Sequence, residues 1–553
     1  MMAHMIDTPD IIARALRQAR RSCGWRLLLY ALLCLDIPVL AATDPAVTDG
    51  PGQQQQQLHF NIWEFRIEGN SLIDRQHIET TVYPFLGPDK TIDTVQAARK
   101  ALETRYHQAG YGTVLVDIPE QDVAEGIITL KVTESKLERV RISGSRYYSL
   151  GWIRKRLPAL KEGVSPNFPR VQKQLAALNG AARDRKITPV LKPGRAPGTV
   201  AMELKVEDRL PLHGGLSLDD RYTANTSRLR LNANLRYDNL WQREHSIGLG
   251  YVVAPADRNQ VEVVYGTYMF HLPDSDKAVS LYAVDSSSDV ATVGGSNVIG
   301  NGNIYGARLT LPLPTRGQLF HNLMLGADYK DFQETVSLQG ADALNTPISY
   351  ISFMAQYGGT LFTARSQTQF SAEVHLGIRG LGNTEKEFAL KRFRARPDFA
   401  FLKLSLDHGR KFWRGSRLRL HLNAQVADSP LISNEQFSAG GVDSVRGYLS
   451  SQQLGDDAIQ GSLEWHSPSL APYIAKALND LHFLAFVDGA RLHVQEPLPG
   501  EQSNFNLLGT GVGLSLSAWD GLEGALYWAV ALSDNGGIRQ GDSRLHFNLG
   551  YNF

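Results

Sequence analysis

The chain has 553 residues, a formal net charge of +1, 20% charged residues, 50 glycines and 9% aromatics. That length exceeds what one core needs, so more than one domain is expected, and the near-neutral balance argues against a nucleic-acid-binding protein. No run of eighteen apolar residues occurs, which excludes a helical membrane span, while abundant glycine and aromatics suit many strands and turns.

Arg14, Arg17, Arg20, Arg21 and Arg26 precede a mostly apolar stretch, Leu27 to Leu40, that ends in Val39-Leu40-Ala41. Residues 1–41 therefore read as an export signal peptide. Both cysteines, Cys23 and Cys34, fall inside it, so the mature chain carries none, which suits an oxidising destination. Removing the signal takes away five arginines and three aspartates and moves the net charge from +1 to −1. Residues 42–59, with a glutamine homopolymer at 53–57, read as a flexible linker.

Two similar units follow, 60–134 and 135–208. In the first, Phe60 to Ile67 alternates apolar and polar and ends at Gly69-Asn70, predicting a half-buried strand. A helix is expected from about Ile73 to Phe85. A second starts near Asp93, puts Val95, Ala98, Leu102 and Tyr106 on one face and stops at Gly110. Thr113–Ile118 and Ile127–Val132 read as strands. The second unit repeats the order: strand Leu137–Ile142, helices Leu150–Leu160 and Val171–Ala182, strands Ile187–Leu191 and Thr199–Val206. A strand-helix-helix-strand-strand unit occurring twice is an internal repeat.

From residue 209 to 553 the texture changes. Arg228 to Tyr237 is apolar at every odd position and polar at every even one. Arg417 to Val426 repeats this, with Leu418, Leu420, Leu422, Ala424 and Val426 on one face and Arg, His, Asn and Gln on the other. The chain ends in the same way, with Leu545, Phe547, Leu549, Tyr551 and Phe553 on one side. Ten-residue dyad segments of this kind predict a transmembrane barrel, apolar toward lipid and polar toward the lumen. The remaining 340 or so residues, at roughly 20 per tilted strand and connection, give about 16 antiparallel strands. The expected fold is a membrane β-barrel preceded by two α+β domains.

Three features carry a resemblance. The aromatic end, Tyr551 and Phe553, is similar to the signal read by bacterial barrel-assembly machinery. The stretch Phe437 to Tyr448, with its Val445-Arg446-Gly447-Tyr448 core after an aromatic-x-x-Gly-Gly lead, resembles the lumen loop of the superfamily that assembles or transports proteins across outer membranes. The two repeats resemble POTRA domains, through Phe65-Arg66-Ile67-Glu68-Gly69-Asn70, Tyr106-x-x-x-Gly110-Tyr111 and Ile118-Pro119-Glu120-Gln121. Two POTRA domains before a barrel of about 16 strands is the layout of two-partner secretion transporters of the ShlB/FhaC/HecB haemolysin secretion/activation type.

That resemblance implies an outer-membrane translocation pore with POTRA domains in the periplasm. They would receive an unfolded partner, a large secreted β-helical adhesin, haemolysin or contact-dependent toxin. It also implies that Arg446 meets an acidic residue on the inner wall, because an arginine left unpaired in the barrel costs several kcal/mol. The expected partner is Asp488, in Phe486-Val487-Asp488-Gly489, with Glu464 as the alternative; the family's Phe-x-Asp-x-Gly motif is matched except that glycine follows Asp488 directly. Residues 42–59 lack helical periodicity, so no barrel-plugging helix is expected from them. The other partners implied are outer-membrane lipid and, during biogenesis, the barrel-assembly machinery.

No metal ligand set, cofactor motif or hydrolase elbow is found, and no enzymatic activity is expected. Gly509-Thr510-Gly511-Val512-Gly513 lies in an alternating strand without a following helix or lysine, so it reads as small residues on a barrel wall. The competing readings are an assembly factor of the same superfamily, which would carry more POTRA domains, and a small-solute porin, which needs neither POTRA repeats nor the Arg446 loop.

Overall fold

A computed structural model describes residues 58–553 apart from 124, 225, 274, 289–290, 294–295, 299–300, 334 and 337–343. The expected export signal and nearly all of the linker lie outside the described residues. The chain divides into two units at Leu210–Pro211.

The first unit holds two α+β repeats. In the first, β1 (Phe60–Ile62) pairs with β3 (Gly87–Lys90), and β2 (Glu64–Glu68) lies beside β5 (Ile127–Thr133), which β4 (Leu115–Asp117) flanks. The continuous alternation of Phe60–Ile67 is thus split at Trp63 between two sheets, because its halves find different partners. Helices Arg75–Val82 and Ile92–Gln108 cover one sheet face, burying Ile78, Val95, Leu102 and Tyr106. The second repeat places β6 (Lys136–Ser143), β8 (Thr199–Asp208) and β7 (Arg185–Pro193) in the same order, first-third-second, with the same parallel and antiparallel pairings. Its first helix runs only Leu150–Lys155 where the sequence suggested Leu160, since Pro158 disfavours helical backbone before it and lacks an N–H. Asn167 caps the second helix, Phe168–Ala181, through a bond from Arg170 N at 3.3 Å.

The short motifs now acquire causes. Tyr106 Oη donates to Asn70 Oδ1 at 2.5 Å, and the same oxygen accepts from Ile73 N at 3.2 Å, so the helix is tied to the turn after β2. Burial pushes the Tyr106 phenol pKa up. Pro119 stands where β4 would continue along β5 yet has no N–H; the Gln121 side chain replaces it, accepting from Thr129 N at 2.6 Å and donating to Thr129 O at 2.9 Å. Gly110 O accepts from Phe168 N at 2.9 Å, making the Tyr-x-x-x-Gly-Tyr turn the joint between repeats. Gly69 and Gly144 follow β2 and β6, the strands paired in parallel with the central strand of each repeat, with φ of +85° and +89°. A Cβ at either would lie 2.3 Å from a carbonyl of the central strand, Val132 O or Val206 O.

The second unit is a closed barrel of sixteen sequentially antiparallel strands, from Leu212–Asp219 to Ser543–Asn552, closed by pairing of the last with the first. This matches the count of about 16. The burial is inverted relative to a soluble sandwich. Leu235 and Val426 face outward, whereas Arg230, Asn232 and Gln425 on the same strands are buried inside. Trp241, Phe320, Trp413 and Trp519 lie exposed beside short turns at one rim, as an interfacial aromatic girdle requires. No helix among the described residues is long and apolar enough to cross a membrane.

Gly144→Ala is expected to destabilise the first unit by more than about 1 kcal/mol, the strain of a left-handed alanine, because the Val206 carbonyl must also shift. Urea unfolding followed in that unit checks it, and an unchanged midpoint would contradict the close approach. Glu138 lies on the surface, and its carboxyl is held below its ordinary value, first by the Arg195 N–H and then by the Thr199 hydroxyl. A depressed carboxyl contributes stability above its ordinary value and loses it as pH falls through the folded value. The 194–199 turn should therefore loosen as pH falls from the ordinary carboxyl value through the lower folded one, read as a falling protection of the Arg195 amide relative to its intrinsic exchange rate. Glu138→Gln should abolish that dependence.

Candidate functional site

Residues 428–456 join the eleventh and twelfth strands, Arg417–Ala427 and Asp457–His466, and fold inward. A short hairpin, Phe437–Ala439 with Gln453–Gly455, forms the stem. Gly440, Gly441 and Gly447 turn the tip with φ of +112°, +90° and +99°. Val445 and Tyr448 are fully buried, and Arg446 is 4% exposed.

Arg446 sits on a patch made by adjacent strands. Ladder register sets Ser462 opposite Asp488, and Glu464 opposite Phe486. Asp488 is fully buried while Val487 beside it faces out, which places the carboxylate on the inner wall. The guanidinium forks onto Asp488 through Nε–Oδ2 and Nη2–Oδ1, both 2.7 Å, and Nη1 lies 2.7 Å from Glu464 Oε1. Arg446 N also donates to Asp488 Oδ2 at 3.1 Å, and Nη2 to Ser462 Oγ at 3.1 Å. Phe486 lies beneath, its ring centroid 3.4 Å from Cζ. Both acidic residues singled out in the sequence thus meet the arginine, Asp488 with two oxygens and Glu464 with one.

The third strand of the patch supplies space. Gly509 pairs with Asp488 and Gly511 with Phe486. A Cβ on Gly509 would stand 2.1 Å from Arg446 O, and one on Gly511 would stand 2.7 Å from the Phe486 ring. Within the glycine run, Gly509 is the clearance into which the loop backbone packs, while Gly511 makes room for the Phe486 ring beneath the arginine and for the neighbouring strand. Tyr448 completes the tip: its Oη lies 2.7 Å from Ser533 O and accepts from Ser533 N at 3.2 Å.

Three further anchors escaped the sequence reading. Glu435 Oε1 accepts from Lys330 Nζ at 2.6 Å and from Tyr350 Oη at 2.5 Å. Asp443 takes two bonds from Arg221, at 2.6 and 3.0 Å. Fully buried Asp456 pairs with Arg392 (Nη2–Oδ2 2.7 Å) and accepts from Leu431 N and Gln495 N at 2.9 and 2.7 Å. Asp443 could have been suspected from its place inside the loop motif; the other two carry no periodicity or spacing that marks them. At the chain end, Phe553 exchanges backbone bonds with Gly214, at 3.0 and 3.2 Å, and its ring lies over that glycine, so Phe553 takes part in closing the barrel. Tyr551 and Phe553 both point outward.

Residues 60–135 match the family model "POTRA domain, ShlB-type", and residues 198–516 match "Haemolysin secretion/activation protein ShlB/FhaC/HecB". The chain belongs to the ShlB/FhaC/HecB haemolysin secretion/activation family. As a member it is an outer-membrane β-barrel transporter of the two-partner secretion type. It is 22% identical over 495 residues to the outer membrane transporter CdiB of Dickeya dadantii (strain 3937), covering 85% of this chain and 83% of that protein. With the transporter of the same name from Escherichia coli O6:K15:H31 it shares 25% identity over 486 residues, 83% of this chain and 77% of that one. Among solved structures, CdiB from Escherichia coli aligns over 100% of both chains with a TM-score of 0.60 and 18% identity. BamA from Haemophilus ducreyi, lacking POTRA domains 1–3, aligns over 89% of this chain and 100% of that one, with a TM-score of 0.56 and 14% identity. These structures are alike in fold.

A double-mutant cycle tests the patch. Arg446→Ala and Asp488→Ala should couple by about 0.5–3 kcal/mol, the range for groups in one hydrogen-bond or salt-bridge network, measured as loss of heat resistance of the inserted barrel. Arg446→Lys should behave nearly as badly as Arg446→Ala, since an ammonium cannot fork onto Asp488 and reach Glu464 together. Additive effects would mean the pair does not hold the loop.

Proposed function

We propose that the two repeats stand in the periplasm, receive an unfolded partner and feed it into the barrel, whose lumen opens when the 428–456 loop leaves the Arg446 patch. The observation that carries this reading is a family-specific loop buried inside the lumen and held there by ion pairs. Charged contacts suit a releasable part. A buried pair is worth little net of desolvation, so water or a polar chain entering the lumen replaces it at small cost, whereas an apolar plug has no such substitute.

The partner is a large secreted β-helical protein, and lipid of the outer membrane covers the outward apolar faces. The terminal Tyr551 and Phe553 serve recognition by the barrel-assembly machinery during insertion. The chain acts as a conduit without catalysing a reaction; the work of export comes from folding of the partner on the far side.

Arg446→Ala should leave the barrel inserted and heat-modifiable in gels but lower partner secretion by at least about tenfold, which corresponds to about 1.4 kcal/mol of lost positioning. Undiminished secretion would sink the role given to the loop. Asp456→Asn, at the loop base, should widen conductance in planar bilayers by letting the stem move; a wild-type conductance would assign Asp456 to stability alone.

A further inference from the structure

Acidic side chains on the inner wall of the barrel differ in what neutralises them. Asp328 on the seventh strand accepts from Arg308 and Tyr282, on the sixth and fifth, at 2.6 Å each. Asp407 on the tenth accepts from Arg419 on the eleventh at 2.6 Å, and Glu373 pairs with His375 two residues along the ninth. These partners sit on strands and stay with the wall wherever the 428–456 loop goes. Asp488 has no such partner. Among the described residues every hydrogen bond to its two oxygens comes from Arg446, through the backbone N–H, Nε and Nη2. Glu464 is intermediate, with His466 Nε2 3.0 Å from one oxygen and Arg446 at the other.

When the loop leaves, a fully buried carboxylate loses all these bonds at once, which is the costly way to break a buried ion pair. The cost is avoided if another cation takes the place of Arg446 as it goes. The patch specifies which cation. Asp488 and Glu464 receive all three nitrogens of a planar fork, and Ser462 Oγ accepts from Nη2 at 3.1 Å. The ring centroids of Phe486 and Tyr527 lie 3.4 and 5.2 Å from Cζ. An ammonium is a point charge and cannot match that fork. The patch also holds the main chain of its occupant, since Asp488 accepts from Arg446 N and Gly509 leaves room for Arg446 O. It is shaped for an arginine inside a polypeptide.

We propose that the wall patch of Asp488, Glu464, Ser462 and Phe486 is a guanidinium-binding site for which arginine side chains of the exported chain compete with Arg446. This rests on the exporter reading above and names the chemistry that frees the loop. An arginine arriving as Arg446 departs keeps Asp488 paired throughout, so release needs no bare carboxylate. The exchange runs both ways. The tethered loop returns at high effective concentration, and Arg446 clears the passing arginine from the wall. Arg446→Ala removes that clearance, so the passing chain stalls on the vacant site, in keeping with the expected fall in secretion.

The vacancy supplies the first test. With full-length Arg446→Ala in lipid nanodiscs, N-methylguanidinium should raise the temperature at which the barrel loses heat resistance, in a saturable way. Methylammonium at the same concentration should not, nor should N-methylguanidinium act on the wild type or on Arg446→Ala/Asp488→Asn. No response in Arg446→Ala, or an equal one to methylammonium, in the wild type or in the double variant, overturns the site. The second test adds short capped peptides, alternating serine with arginine or with lysine, to the wild-type protein in planar bilayers. The arginine peptide should raise the open probability about tenfold above the lysine peptide. Equal opening by both, or by neither, overturns the competition. The exporter reading is tested apart, by comparing secreted proteins with and without this chain. If no protein's export depends on it, that reading falls while a positive guanidinium result stands. If export depends on it and the two peptides act alike, the competition alone is overturned.

Discussion

One guanidinium buried against two carboxylates organises the inside of this barrel. Arg446 would be too costly to bury alone, so the wall must bring Asp488 and Glu464 to it. Antiparallel register does this, because side chains two residues apart on one strand share a face and the neighbouring strand repeats the spacing. Asp488 and Phe486 therefore face the lumen together, with Ser462 and Glu464 across the ladder. Once the arginine is fixed, its own backbone lies against the next strand, and only glycine at 509 leaves room for the carbonyl. The side chains of three strands are set by the demands of one.

The remaining loop contacts differ in kind between tip and base. The tip is mostly dry: Val445 and Tyr448 pack with Ala490, Leu507 and Ala531 on the thirteenth to fifteenth strands. The base is charged, with Glu435 held from the seventh and eighth strands and Asp456 held by Arg392 from the loop between the ninth and tenth. A loop bound from both sides of the lumen spans it. Its register is specified twice, once by shape and once by charge, and neither alone would place a segment that long.

The legible parts of the sequence were those where local period equals structural period. Leu545, Leu549 and Tyr551 alternate with buried His546 on a single strand, so their faces could be read without knowing any neighbour. The same holds for Val95, Ala98, Leu102 and Tyr106 on their helix. Pairing choice was opaque. Phe60 to Ile67 alternates without interruption, yet its first half joins Gly87–Lys90 and its second Ile127–Thr133, partners far along the chain. One local feature was legible and passed over: Thr384 and Glu387 form a capping box on the helix Glu385–Lys391. At the site, resemblance pointed to Arg446 and Asp488, but the glycine at 509 gains its meaning only when the loop is packed on it.

Prolines and capping side chains in the repeats follow from the same scarcity of backbone partners that shapes the barrel. A closed barrel has no edge to protect. The repeats are open sheets, where every bare edge invites wrong pairing. Pro189 and Pro193 remove donors, Asn179 and Glu162 occupy them, and Gln121 fills the gap left by Pro119. Each device acts on the backbone of a single residue, so the sheet keeps its pairing inside while its outer residues are closed one by one. An open sheet has to be selective about where it is sticky, and here that selectivity is written in individual backbone groups.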